Sequence, residues 1–275
     1  MGAGETPLFI PSEGHHLFAV WHLPAASRNG EARCAFVFCP PFAEEEKCCH
    51  RVFVDMAREL CRRGHPVLRI QFRGCGDSEG TFGEFTCSDW QQDVRNALSF
   101  VADKGYPKTG LLGLRLGASL AARVAEENLS VKKLILWEPI INGKQFMSLN
   151  LRRKLLRRML TEKEGGTPTP LRDNDRENDT GIDFEGYWVS SQMQEEIAGI
   201  NLLDEVKHYS GEVLLTQISS QKQPGKGLRS LAESYRAAGA RVTVEAVVEQ
   251  PIWNLLDLFH PGELIIRTAE WVGEA

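Results

Sequence analysis

The sequence predicts an α/β fold, a mostly parallel central sheet flanked by helices and interrupted by one helical cap insertion. Three observations predict it. Short apolar runs alternate with segments of helical periodicity over 34–139 and again over 207–275. Residues 140–206 abandon that alternation. Between Thr109 and Ala121 an apolar run passes directly into a helix start, with Gly113 and Gly117 flanking the junction.

The elements follow in order. Cys34–Cys39 is a continuous apolar run closed by Pro40 and Pro41, a buried strand. From Cys49 the positions Val52, Phe53, Met56, Leu60 and Cys61 keep helical spacing until Gly64. Pro66–Phe72 reads as a second strand and opens into the turn-rich Arg73–Gly80. Ser88 is placed to cap a helix whose apolar face is Trp90, Val94, Ala97, Leu98 and Val101. Thr109–Leu114 and Leu134–Trp137 are strands. Residues 148–160 set five basic residues among leucines at helical spacing, and 161–181 hold a single large apolar residue, Leu171, as in a flexible loop. Apolar patterning returns at 182–206. The alternation resumes with strand Glu212–Ile218, helix Gly227–Ala238, strand Arg241–Val248 and helix Glu263–Val272. The predicted organisation is a core over 1–139, an insertion over 140–206 and a second core part over 207–275.

Composition narrows the function. Thirty-two Lys and Arg against 37 Asp and Glu give a net charge of −5, without the basic footprint of a nucleic-acid binder. No run reaches the length of a membrane span, and the first residues lack a secretory leader pattern. Gly2 and Thr6 match the short myristoylation pattern, which arises often by chance. Seven cysteines, an odd number, point to reduced thiols and a cytoplasmic setting. Cys48, Cys49 and His50 adjoin, but no second ligand pair stands at zinc spacing, so neither metal nor cofactor is expected.

The chemistry centres on Leu111–Ala121. A sharp strand-to-helix turn with glycines two residues either side of its tip is a nucleophile elbow, and it sets the tip side chain above the sheet edge at a helix N-terminus. A lone GxRxG is a weak signal, but in order with the Cys39–Phe42 loop and the Arg73–Ser78 run it resembles an α/β-hydrolase fold. The tip is Arg115. A guanidinium stays protonated and has no lone pair with which to attack a carbonyl. The loop Cys39–Phe42 takes the place of the oxyanion loop, so the N–H groups of Phe42 and Leu116 are the expected oxyanion donors. After strand 212–218, where a triad acid is expected, stands Ser219-Ser-Gln-Lys-Gln-Pro224; after strand 241–248, where a triad histidine is expected, stands Glu249-Gln-Pro-Ile-Trp-Asn254. The nearest histidine is His260.

The run Phe38–Glu46, the stretches Arg73–Ser78, Gly113–Ala118 and Leu136–Lys144, and the phrases Gly186-Tyr187 and Gln250–Trp253 resemble the α/β-hydrolase relatives called exosortase A system-associated hydrolase 2. The resemblance spans about 34–272. It implies arginine at the elbow as a family trait and an association with bacterial exopolysaccharide and protein-sorting systems. Glu138 stands where that family usually has Gln, and Ile252 where it has Phe.

Two readings of Arg115 stay open and are compatible. It anchors a carboxylate, phosphate or sulfate, or it pairs internally with Glu44, Glu45 or Glu138. Trp253 is expected to fill the space of the missing histidine. The displaced catalytic candidates are Ser78, Cys39 and Glu45, with His50 or His260 as base; Ser119 and Cys75 are weaker. Asp77 reads as a turn residue, and His15 and His16 fall in an early polar turn. The basic stretch 148–160 roofs the pocket or lies on an anionic membrane surface. The function classes are therefore a non-catalytic binder of an anionic or acyl ligand, or of a protein of an export or polysaccharide system, and a hydrolase or acyltransferase with a displaced nucleophile.

Overall fold

The computed structural model describes residues 4–25, 34–152, 181–184, 186–255 and 261–273. Ten strands and the helices between them are labelled in chain order. Strands β1 (Gly4–Ser12) and β2 (His15–Leu23) form an antiparallel hairpin, followed by β3 (Ala35–Cys39), α1 (Glu44–Arg62), β4 (Val67–Ile70) and α2 (Cys87–Asp103). Then come β5 (Thr109–Leu114), α3 (Leu116–Glu127), β6 (Val131–Trp137) and a helix over 143–152, α4. The insertion continues with β7 (Ile182–Phe184), β8 (Tyr187–Val189), α5 (Ser191–Ala198) and α6 (Leu202–Glu205). Strands β9 (Glu212–Ser219) and β10 (Arg241–Val248) alternate with α7 (Lys226–Ala237) and α8 (Gly262–Val272).

Eight strands make one sheet in the order β1-β2-β4-β3-β5-β6-β9-β10. From β4 to β10 every pairing is parallel; the β1–β2 and β2–β4 pairings are antiparallel. The central parallel strands β3 and β5 are buried on both faces, as crossover helices require, and contain no exposed residue. One face packs under α1 and α8, where Phe36, Phe38, Phe53 and Trp137 meet Leu264 and Val272. The other packs under α2, α3 and α7 around Leu111, Leu136 and Leu215.

The structure corrects several boundaries. The hairpin β1–β2 was not foreseen, and His15 and His16 open β2 rather than lie in a turn; Glu13 and Gly14 make the turn, both with positive φ. Helix α1 begins at Glu44, five residues before its apolar periodicity starts, because Glu44, Glu45 and Glu46 suit the positive end of the helix dipole. Thr86, not Ser88, caps α2: its Oγ1 accepts from Asp89 N, and the Asp89 carboxylate accepts from Thr86 N. Ser88 instead donates from N and Oγ to Glu196 of α5, at 2.8 and 3.0 Å. The insertion is not wholly helical, since β7 and β8 pair antiparallel. Residues 153–180, which carry most of the basic stretch and nearly all of the predicted loop, lie outside the described residues, as does His260. No described helix is long and apolar enough to cross a membrane.

Candidate active site at the strand-to-helix elbow

Strand β5 is the centre of the parallel sheet, and its C-terminal end turns at Arg115 into α3. Arg115 has φ 56 and ψ −120, a conformation non-glycine residues avoid. The flanking glycines permit it. A Cβ on Gly113 would meet the Ala118 backbone, and one on Gly117 would meet the carbonyl oxygens of Cys39 and Pro40. The second contact presses the start of α3 against the loop after β3. At the neighbouring β3–α1 junction Ala43 repeats the turn, with φ 52 and ψ −125.

Among the described residues, one carboxylate and two aromatic rings lie against the Arg115 guanidinium. Its Nε donates to Glu45 Oε1 at 3.2 Å, and each side chain of this pair is 16% exposed. The guanidinium carbon lies 4.8 Å from the centre of the Trp253 ring and 5.4 Å from that of Phe146. Of the three foreseen carboxylates, only Glu45 makes this pair. Glu44 pairs with exposed Lys47, which lies over Tyr187 in β8. Glu138, itself at φ 43, accepts from Ile218 N at 2.8 Å; burial raises its carboxyl above the usual range, with that bond and the Arg115 charge opposing. Trp253 does lie against the elbow, in a short 3₁₀ turn after β10. Phe42 is buried edge-on to Phe82, Phe146 and Phe184, at centroid distances from 5.5 to 6.3 Å. Leu116 opens α3, so its N–H is a first-turn donor outside the helical ladder.

The displaced candidates hold other places. Ser78 Oγ accepts from Phe18 N at 2.8 Å and donates to Gln71 O at 2.7 Å, fixing the β4 loop to β2. Ser119 is fully buried and donates to Ile140 O at 2.8 Å. Cys39 is fully buried at the end of β3, and burial drives its thiol far above the ordinary value, against thiolate formation. Cys75 is raised likewise, by burial first and by Glu46 and Asp93 next. His50 lies on α1 beside Arg69 and Glu46, lining a recess that does not include Arg115. Glu249 accepts from the N–H groups of Glu263 and Leu264 and so closes the start of α8. Cys48, Cys49 and His50 follow one another on α1, and no group of three metal-ligating side chains assembles among the described residues.

Sequence reading missed Phe146. Its signal was the apolar pair Phe146-Met147 before the basic stretch; both are buried, and Phe146 brings α4 over the elbow.

Residues 31–176, just over half of the chain, match the family described as serine aminopeptidase, S33. No curated protein matches the sequence at a significant level. Among solved structures the chain is similar to Est1E from Butyrivibrio proteoclasticus with bound ferulic acid, at 16% identity and TM-score 0.68, covering 96% of this chain and 97% of that one. It is similar to an esterase of Pyrococcus furiosus at 16% identity and TM-score 0.66, covering 98% and 90%. It is also similar to the esterase domain of a Rhodothermus marinus protein, at 19% and 0.62, covering 98% and 100%.

Proposed function

Because the chain belongs to the serine aminopeptidase S33 family yet carries arginine at its elbow, we propose that it binds an anionic acyl-bearing group there without hydrolysing it. The observation that carries this reading is the Arg115 guanidinium at the tip, paired with Glu45 and set between Trp253 and Phe146. Where a hydrolase needs a lone pair, this site offers a fixed positive charge. An incoming carboxylate or phosphate replaces the Glu45 carboxylate on the guanidinium, within reach of the first-turn donors of α3. The aromatic ring cluster around Phe42 receives the apolar part of the ligand. The exosortase-associated resemblance suggests a ligand or protein partner in an export or polysaccharide system, and the free cysteines suit a reducing cytoplasm.

The second reading, hydrolysis by a displaced nucleophile, draws on the retained elbow backbone and on family membership. Intact mass after treatment with a broadly reactive fluorophosphonate separates the two. We expect an unmodified mass, and no turnover of short p-nitrophenyl esters above buffer. A stoichiometric adduct would sink the binding reading, and its peptide would name the nucleophile.

A further inference from the structure

Away from the elbow, α1 and strands β2 and β4 line a small recess that opens to solvent. We propose that this recess is a second ligand site, for a small monocarboxylate with a short apolar tail whose carboxylate pairs with Arg69. The proposal is independent of the function assigned to Arg115.

Arg69 on β4 stands opposite Val20 of β2. It is half-buried, and its Nε donates to His22 Nε2 at 2.9 Å. His22 is uncharged at neutral pH: burial, then the Arg69 charge, hold its imidazole down to about 4. The guanidinium therefore spends a hydrogen bond on a neutral partner. The nearest acid, Glu5, is engaged by Arg58 through both carboxylate oxygens, at 2.6 and 3.1 Å. Among the described residues no carboxylate oxygen lies within 4.0 Å of the Arg69 guanidinium. A half-buried guanidinium bonded to a neutral base, whose nearby Glu5 is already engaged by Arg58, is under-compensated, and an anion in the recess relieves it.

The rest of the lining selects which anion. Glu46, on the α1 wall, is hydrogen-bonded to Gln71 and makes no pair with Arg69; burial pushes its carboxyl up to about 7, so it is mostly uncharged below that pH and a competing negative charge above it. His50, at the mouth, is kept below its ordinary value by burial first and by Arg69 next. With Glu46 protonated, near pH 6, one cation thus faces the space, which suits a monoanion over a phosphate dianion. Phe18, Val20 and Phe53 supply apolar wall beside it, which suits a short hydrocarbon tail.

The test uses the full chain and sodium butyrate labelled with ¹³C, with butylammonium chloride as the charge-reversed control. Isotope-filtered NMR on the unmutated protein should show contacts from the butyrate methyl to the rings of Phe18 or Phe53. Arg69→Gln should weaken butyrate by about tenfold or more, the scale of one lost charge-assisted pair. Contacts to Trp253 or Phe146 in place of Phe18 and Phe53 would overturn the proposal and move the carboxylate to the elbow. Absence of butyrate binding, or equal binding of butylammonium, would also overturn it.

Discussion

Replacing Arg115 by methionine, alone and together with Glu45→Gln, isolates the ion pair at the elbow. Methionine keeps an unbranched apolar side chain between Trp253 and Phe146 and removes the charge. Removing one member of a buried pair costs about 3–5 kcal/mol, because the other stays desolvated. With each partner 16% exposed, water recovers part of that, leaving roughly 2–3 kcal/mol. Loss of the cation–ring contacts adds about 1 kcal/mol. A total near 3–4 kcal/mol lowers Tm by roughly 6–12 °C in a domain of this size. Neutralising Glu45 as well removes the stranded carboxylate, so the double variant should be more stable than the sum of the singles by about 1.5–2 kcal/mol. Urea unfolding of the four proteins, followed by tryptophan fluorescence, measures the cycle. Arg115→Met within about 0.5 kcal/mol of the parent, or strict additivity, would refute the claim that this pair holds the elbow together.

Three further outcomes follow from other sites. Asp93 is fully buried and accepts from Ser12 Oγ, Arg73 N and Arg73 Nε at 2.7, 3.0 and 2.7 Å, so Asp93→Ala should cost about 3–5 kcal/mol in urea unfolding. The Glu46 carboxyl ionises near 4.5 when unfolded but near 7 when folded. The unfolded chain then loses its proton first, and stability falls as pH rises across that window, by at most about 3 kcal/mol. Glu46→Gln should therefore gain on the parent between pH 5 and pH 8, and unfolding at the two pH values reads it; a constant gap would contradict the assignment. His22 has the opposite sense: its imidazole stays neutral down to about 4 in the fold but protonates near 6.5 when unfolded, so it contributes stability at neutral pH that is lost as pH falls through that interval. Its imidazole NMR shift should hold flat to near pH 5.

Much of this architecture was legible because buried parallel strands write themselves as uninterrupted apolar runs. Phe36–Cys39 and Leu111–Leu114 could face water on neither side. The elbow was legible because its glycines answer a steric demand local to five residues. The β1–β2 hairpin was not, because an edge strand exposed over most of its length has weak patterning and carries Pro7 and Pro11. At the site, the Glu45 partnership was one of three alternatives. Sequence placed all three acids near Arg115, but the choice depends on which way the first turn of α1 faces. The Phe146 contact and the Arg69 recess join residues far apart in the chain through side-chain direction, which periodicity does not encode.

The repeated turn has an electrostatic consequence. Ala43 and Arg115 share nearly the same backbone angles, and β3 and β5 are adjacent, so α1 and α3 begin side by side at one sheet edge. Two helix N-termini contribute about half a positive charge each, and the guanidinium adds a full one. At the elbow these positive charges are met by the acidic first turn of α1, whose Glu45 carboxylate is the counterion on the guanidinium. A substrate carbonyl is only a dipole and competes poorly for such a place. On the proposed reading, a formally charged ligand is the kind that can exchange with the carboxylate already there.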